Sequence, residues 1–171
     1  FPRNFIPEPI AKKYKPFLTR IPGGLIKEPI DYWNYGIQSL NLPGPSFDAV
    51  TQVDYPGNQR AFRSSIPKQQ LFDKTMTVTM QAFDGYVNYW MAIEMFDYYY
   101  KLSGKHPYLP EGVGVQMLDS DGTIFVTVQL KDMFISEVGA LDLNFSSNTI
   151  EFQTFDITFG YNVLDVVVNI D

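Results

Sequence analysis

Residues 73–90, DKTMTVTMQAFDGYVNYW, change periodicity halfway. Up to residue 82, threonine or glutamine alternates with a larger apolar residue, which predicts a strand with one apolar and one neutral polar face. After Asp84, apolar residues recur three and four positions apart. This second pattern predicts a helix that is capped by Asp84 and ends near Leu102, just before Gly104.

The two-residue alternation recurs along the chain and indicates further strands. They are predicted at 32–40, 48–55, 112–118, 123–131, 140–145, 151–161 and 163–168. A hairpin turn is predicted at 119–122, whereas residues 57–70 are predicted to form a long excursion between strands. Such regular alternation is typical of antiparallel sheets. The predicted fold class is mainly β, an antiparallel β-sandwich or barrel with one flanking α-helix.

The predicted helix has two apolar stripes on nearly opposite sides. One contains Tyr86, Tyr89, Ile93, Phe96 and Tyr100, and the other contains Val87, Met91, Met95 and Tyr98. A surface helix on a single subunit needs only one apolar stripe. We therefore predict that another subunit covers the helix through Val87, Met91, Met95 and Tyr98. The alternative is a helix enclosed within its own domain.

Residues 1–30 contain six prolines, interspersed with large apolar side chains. Proline at this density predicts an extended, proline-rich arm rather than a helix or a strand. The predicted organisation is therefore an arm at 1–30 followed by a β domain at 31–171. Because the arm is apolar, we expect it to lie on its own domain or on a neighbour.

The net charge of −6 is unevenly distributed over the 171 residues. Residues 1–75 carry 10 basic and 6 acidic groups, whereas residues 76–171 carry 3 basic and 13 acidic groups. The acidic part would repel phosphate, which argues against a protein that grips nucleic acid. A basic arm beside an acidic body favours contacts between subunits, with a merely solvated arm as the alternative.

The sequence contains few side chains that are suited to catalysis. It contains no cysteine and one histidine, His106, so most nucleophile–base pairs cannot be assembled. A glycosidase-like enzyme would need paired carboxylates, but no pair is distinguished. We predict no catalytic residue, no metal site and no cofactor. No segment is apolar for long enough to cross a bilayer.

The polar faces of the predicted strands lack lysine and arginine. Their residues are Thr77, Thr79, Gln81, Thr127, Gln129, Asp142, Asn144, Thr154, Asp156 and Thr158. Cations beside phosphate add sequence-independent binding, so a surface past which a polyanion slides would omit them. The alternative is a threonine-rich sheet exposed to solvent.

Residues 31–165 resemble the tail tube proteins of contractile-tailed bacteriophages, which are related to the tube proteins of type VI secretion and other contractile injection systems. The matching segments are IQSLNLPG (37–44), FDKTMTVTM (72–80), VTVQLKDMFISEVGALDLNF (126–145) and IEFQTFDITFGYNVLD (150–165). Their order and spacing carry the resemblance.

The resemblance implies rings of six copies that stack into a hollow tube. The polar faces listed above would line the lumen, and DNA would pass through without specific binding. Partners would be further copies, the tail sheath protein and baseplate or neck proteins. The protein would reside in the virion tail after assembly in the host cytoplasm. Arg60, Phe62 and Arg63 fall where tube proteins often contact the next ring.

Two alternatives stay open. The arm at 1–30 is not part of the pattern, and a tube-initiator or tube-terminator paralogue of the same fold would carry such an extra arm. A β-sandwich carbohydrate-binding module belongs to another class. It would use aromatic platforms at Trp33, Tyr35, Trp90 and Tyr98.

Overall fold

The computed structural model describes residues 1–18, 26–42, 44, 50–54, 58–62, 74–102, 109, 112–141 and 153–168. Within these ranges the helices are α1 (Glu8–Leu18), α2 (Pro29–Tyr35) and α3 (Val87–Leu102), and a 3-10 turn at Asp84–Tyr86 precedes α3. The strands are β1 (Ile37–Asn41), β2 (Val50–Asp54), β3 (Asn58–Phe62), β4 (Thr75–Gln81), β5 (Val113–Leu118), β6 (Ile124–Lys131), β7 (Phe134–Val138), β8 (Thr154–Gly160) and β9 (Val163–Val168).

The strands form antiparallel sheets, as the sequence predicts. A four-stranded sheet has the order β1-β4-β8-β7, a three-stranded sheet has the order β5-β6-β9, and β2 pairs with β3. The central pair of the larger sheet sets Met76 opposite Phe159 and Val78 opposite Ile157. The predicted fold class, mainly β and antiparallel, is confirmed.

The core lies between the apolar face of the four-stranded sheet and the helices. Met76, Val78 and Phe159 point from the sheet into this core, where Met91 and Met95 of α3 meet them; all five side chains are fully buried. The alternation in β4 thus produces the burial that the sequence pattern predicts.

A buried amide joins the end of β4 to the start of α3. Asn88 is fully buried; its side chain accepts a hydrogen bond from the Phe83 amide at 3.2 Å and donates one to the Gln81 carbonyl. Between these residues the chain turns through Gly85, which has a φ of 70° that glycine tolerates best. Both backbone groups are satisfied although the turn is tight.

The N-terminal segment is not the extended arm that its prolines predict. Residues 8–18 form α1, so that prediction is wrong there. The reason is the position of the prolines: Pro9 lies in the first turn of α1 and Pro29 begins α2, where helical N–H groups need no partner within the helix. Pro16 lies in the last turn of α1.

This segment packs into the same core as the sheet. Phe5 is buried, with its ring centroid 5.8 Å from that of Trp33 and 6.1 Å from that of Phe159. On the helical side, the Tyr99 hydroxyl donates to the Phe5 carbonyl at 3.1 Å, and the Tyr14 hydroxyl donates to Glu94 at 2.9 Å. The segment therefore lies on its own domain, one of the two positions that its apolar residues predict.

The strand predictions are correct for most of the chain and wrong in three places. Residues 32–35 belong to α2 rather than to the start of a strand, the excursion at 57–70 contains β3, and β7 is not predicted at all. β7 lacks a clean alternation because its pairing with β8 shifts between Ile135 and Glu137. The predicted strand at 140–145 lies, beyond residue 141, outside the described residues.

A matched pair of glycines tests the pairing of β5 with β6. A Cβ at Gly112 would lie 2.3 Å from the Leu130 carbonyl oxygen, whereas a Cβ at Gly114 would meet no atom within 4 Å. We expect Gly112→Ala to lower the free energy of unfolding by about 1–3 kcal/mol, as overpacked sites do. Gly114→Ala should leave it unchanged or raise it by up to about 1 kcal/mol. Urea denaturation measures both, and equal effects would contradict the close approach at Gly112.

Alkaline pH tests the attachment of the N-terminal segment to α3. Burial, followed by the neighbouring Tyr98, raises the pKa of Tyr99 to about 12 from 10.0. The folded state therefore holds the Tyr99 proton more tightly than the unfolded state. The stability that Tyr99 contributes is fully present below pH 10 and is lost as the pH rises towards 12.

The measurement is the difference in unfolding free energy between wild type and Tyr99→Phe. We expect a difference of about 1 kcal/mol near neutral pH, from the lost hydrogen bond, which shrinks between pH 10 and 12. Tyr100→Phe is the control, because the Tyr100 side chain is 71% exposed. Its difference from wild type should stay near zero, and a shrinking difference there would contradict the assignment to Tyr99.

Candidate functional site

The four-stranded sheet turns a continuous polar face away from the core. Across β4 and β8, Thr77 lies opposite Thr158, Thr79 opposite Asp156, and Gln81 opposite Thr154. Residues directly opposite one another project to the same side of a sheet, so these six side chains form one surface. The Thr79 hydroxyl donates to Asp156 Oδ1 at 2.7 Å, which ties the two strands together on that surface.

The flanking strands extend this surface. On β1, Asn41 lies opposite Thr77 and Ser39 opposite Thr79, while Gln38 Nε2 donates to Gln81 Oε1 at 3.3 Å. On β7, Glu137 lies opposite Thr158. We call the whole surface the polar sheet face; it comprises Gln38, Ser39, Asn41, Thr77, Thr79, Gln81, Glu137, Thr154, Asp156 and Thr158.

The polar sheet face has no positive charge. The four strands that build it, β1, β4, β7 and β8, contain no lysine or arginine. Its only ionisable side chains are the carboxylates of Glu137 and Asp156. The face therefore offers hydrogen-bonding groups to water and repels a polyanion, since nothing on it neutralises phosphate.

Two of the remaining residues predicted to line a lumen lie in the other sheet, and two lie outside the described residues. Thr127 and Gln129 belong to β6 in the three-stranded sheet, where Thr127 lies between Gln116 and Val167. Gln129 lies opposite Asp165. Asp142 and Asn144 lie outside the described residues. The structure thus brings six of the ten predicted residues together, and their place in a lumen stays a prediction.

The predicted inter-subunit stripe of α3 is wrong for its central residues. Met91 and Met95 are completely buried and Val87 nearly so, in the core of their own chain. Side chains that are already enclosed have no surface left for a second subunit. Tyr98 is half-buried, with its ring perpendicular to that of Tyr99 at 5.5 Å, and its role in a contact stays a prediction.

The opposite side of α3 is the one that stays exposed. Trp90, Phe96 and Tyr100 are exposed, and the rings of Phe96 and Tyr100 stack at 6.4 Å. Both stripes are equally apolar in the sequence, so periodicity predicts two contacts without saying which of them is internal. The structure resolves this ambiguity because Met91 and Met95 are completely buried, whereas Phe96 and Tyr100 of the other stripe are exposed. Tyr89 of that other stripe also reaches the sheet, with its ring 5.2 Å from that of Phe155 in β8.

The other predicted contact residues are placed only in part. Arg60 and Phe62 lie in β3, where they pair with Gln52 and Val50 of β2. Arg63 lies outside the described residues. Among the proposed sugar platforms, Trp33 is fully buried against Phe5 and cannot stack on a sugar, whereas Tyr35 and Trp90 are exposed.

A second surface, which sequence reasoning missed, lies at the far end of the three-stranded sheet. Leu118 is 61% exposed, and Met117, Ile124, Phe125 and the 166–168 segment of β9 are exposed with it. Met117, Val126 and Val168 lie side by side on one face, while Val167 lies on the other. The unalternated runs Ile124-Phe125-Val126 and Val166-Val167-Val168 were the available signal. Exposed apolar area of this kind indicates a contact surface.

Two further classes of feature do not occur within the described ranges. No group of three or more His, Asp or Glu side chains there could hold a metal ion. None of the helices described is both long and apolar enough to cross a membrane.

Solved structures share this fold. One chain from the PVC sheath-tube complex of an extracellular contractile injection system, in its extended state, is similar over 78% of this chain and 81% of that one, at 15% identity and a TM-score of 0.50. A chain from the PVC sheath/tube terminator, also extended, is similar over 77% and 85%, at 15% identity and a TM-score of 0.51. No protein-family model matches the sequence, and no curated protein matches it significantly.

These likenesses confirm the resemblance at the level of fold. The chain has the fold found in the sheath-tube and terminator assemblies of contractile injection systems. The β-rich architecture predicted from the sequence is therefore that of this structural class.

Truncation of α3 side chains tests which stripe is internal. Met91→Ala should lower the free energy of unfolding by about 2–4 kcal/mol, because it opens a cavity in the core. Phe96→Ala is the comparison: its side chain is partly in water, so we expect a loss of about 1 kcal/mol or less. Thermal or urea denaturation of the dilute protein measures both, and a larger effect at Phe96 would reverse the assignment.

Proposed function

We propose that this protein is a structural, non-enzymatic subunit of a contractile tail tube. In this proposal six copies form a ring, rings stack into a hollow tube, and the polar sheet face lines the lumen through which DNA passes at ejection. The observation that carries it is the polar sheet face itself: a four-stranded surface of neutral and acidic side chains without a cation.

The negative charge of the polar sheet face suits the passage of DNA better than the binding of DNA. A lysine or arginine that contacts DNA releases counterions and adds affinity at every position along the duplex, so a cationic lumen would hold DNA. Asp156 and Glu137 instead repel phosphate, while the threonine hydroxyls keep the wall wet. DNA passing six copies of such a face in each ring would find no site at which to stop.

Closure of several copies into a ring also explains the sheet edges. The four-stranded sheet ends at β1 and β7, and each has one neighbour within the described residues. Exposed edges invite pairing with other chains. In a closed ring, the edge of one copy meets the edge of the next, and the lumen wall becomes continuous.

In such a ring, the outer surface would be the one that contacts the partner proteins. α3 packs on the apolar side of the sheet, so its exposed aromatic side would face outward in a ring. We propose that the sheath protein covers this side, that baseplate or neck proteins meet the tube ends, and that the assembled protein is part of a phage virion tail built in the host cytoplasm.

A tube terminator of the same fold is the second candidate. The likeness to a chain of the PVC sheath/tube terminator, at a TM-score of 0.51, is as close as the likeness to the sheath-tube complex. The two candidates differ in assembly, because a repeated subunit stacks indefinitely and a terminator stops after one or a few rings.

Electron microscopy of the concentrated, purified protein separates these possibilities. We expect rods with a central channel and six subunits per ring in averaged end views. Single rings that do not stack would favour the terminator. A chain that stays monomeric at the highest attainable concentration would contradict both.

A lysine on the polar sheet face tests the lumen assignment. Thr154→Lys would place one cation per subunit beside the proposed DNA path, because Thr154 is exposed on that face. Tubes assembled from this variant with short duplex DNA should retain nuclease-protected DNA at low salt. The binding constant for this DNA should fall by roughly 0.9 log units per log unit of salt concentration for each phosphate contacted, so less DNA should be retained at high salt.

Tyr100→Lys is the matched control, since it adds the same charge on exposed α3. Wild-type and Tyr100→Lys tubes should protect no DNA. Equal protection by Tyr100→Lys and Thr154→Lys tubes would place residue 154 outside the lumen.

A further inference from the structure

The folded N-terminal segment contains a basic cavity. A cavity of about 200 Å³ opens between α1 and the start of α2; Arg3, Lys12, Lys15 and Glu28 line it together with Ile6 and Ile30, which are each only 5% exposed. This volume is several times the roughly 30 Å³ that one water molecule occupies, so a carboxylate side chain fits inside.

Two of the three cations have no partner in the described part of the chain. Lys12 pairs with Glu8 at 2.6 Å, but neither Arg3 nor Lys15 forms an ion pair with another described residue. The Glu28 side chain accepts a hydrogen bond from the backbone at the start of α2, and its negative charge offsets part of the positive charge. With three cations and one carboxylate among its described lining residues, the cavity carries an excess of positive charge.

The hairpin between β5 and β6 has the opposite charge. Its turn carries Asp119 and Asp121, and residues 113–130 contain no lysine or arginine. Asp119 Oδ1 accepts hydrogen bonds from the amides of Asp121 and Thr123, which holds the turn in shape. Asp121 is exposed, and Leu118 and Ile124 on either side of the turn are exposed with it.

The hairpin does not occupy the cavity of its own chain. The described residues that line the cavity all come from the first 30 positions, and the hairpin tip is exposed to solvent. The two surfaces are complementary in charge, yet within one molecule they remain separate.

We propose that the β5–β6 hairpin tip of one copy docks in the basic cavity of the next copy. Asp121 enters between Arg3 and Lys15, and the exposed Leu118 and Ile124 lie on either side of it. A charged centre with apolar surroundings that exclude water is the arrangement of specific interfaces. The occupant is a second copy because the same chain carries both halves of the match.

Such a contact is heterologous: the tip of each copy meets the cavity of its neighbour, never another tip. Heterologous contacts build closed rings or open helical stacks rather than two-fold dimers. The inference rests on the proposed function, whose rings need a contact of this kind, and it adds the residues that form one.

The best test reverses one charge on each surface. Arg3→Glu suits the cavity because Arg3 is exposed and lies outside the helices. Asp121→Arg suits the tip because only the backbone amide of Asp121 takes part in the turn, whereas Asp119 holds it. Lys74→Glu is the matched control, an exposed lysine outside both surfaces.

Assembly is measured by sedimentation and electron microscopy at low salt, with circular dichroism to confirm that each variant is folded. Arg3→Glu alone and Asp121→Arg alone should each raise the concentration needed for half-assembly by about tenfold or more, because like charges then face each other across the contact. The double variant should assemble as the wild type does, and Lys74→Glu should not differ from wild type.

Mixing the two single variants in equal amounts gives the sharpest result. Every contact between unlike subunits is then complementary, because the two unchanged surfaces meet each other and the introduced arginine meets the introduced glutamate. Alternating assemblies should therefore form where neither variant assembles alone. A contact within one chain would be restored by the double variant but not by the mixture. Leu118→Gln should weaken assembly without changing stability.

Three outcomes overturn the inference. Wild-type rings together with unaffected single variants would exclude this contact while leaving the tube function intact. Single variants that fail to assemble, with no rescue by the mixture, would likewise exclude it. A wild-type chain that never assembles would overturn both proposals.

Discussion

The antiparallel pairing of β4 with β8 is the interaction on which the rest of the structure depends. Its register sets the apolar residues of both strands on one side, where α3 and the N-terminal segment cover them. Thr77, Thr79 and Asp156 are thereby directed to the other side. A slip of one residue would exchange the two faces completely, so the buried methionines fix the position of every polar group on the polar sheet face.

The sequence predicts much of this arrangement because period-two alternation is a local signal. It locates β4, β5, β6, β8 and β9 to within two or three residues. This local signal fails where the structure is decided by a contact between residues that are far apart along the chain. The prolines of the N-terminal segment suggest an extended chain, but tertiary packing of Phe5 and Ile10 favours helix, with Pro9 and Pro29 at positions that helices tolerate.

The candidate surfaces, like the fold, could be predicted only where a local sequence pattern determines them. Six of the ten predicted lumen residues share one face because the alternation of β4 and β8 predicts their common side, although not their neighbours on β1 and β7. The inner stripe of α3 could not be chosen, since Met91 and Phe96 are both apolar. The basic cavity also could not be predicted from the sequence, because Arg3 and Lys15 come together only when α1 and α2 fold.

The long separation along the chain between β4 and β8 has a consequence for biosynthesis. Thr79 and Asp156, which are hydrogen-bonded on adjacent strands, lie 77 residues apart. Contacts between such distant residues slow folding, since a long loop must close before any pairing is gained. As the chain leaves the ribosome, Met76 and Met80 of β4 stay without their partners on β8 until β8 itself has been made. In the proposed tube, a subunit could join a ring only after β8 has paired with β4, so synthesis and assembly would be separated in time.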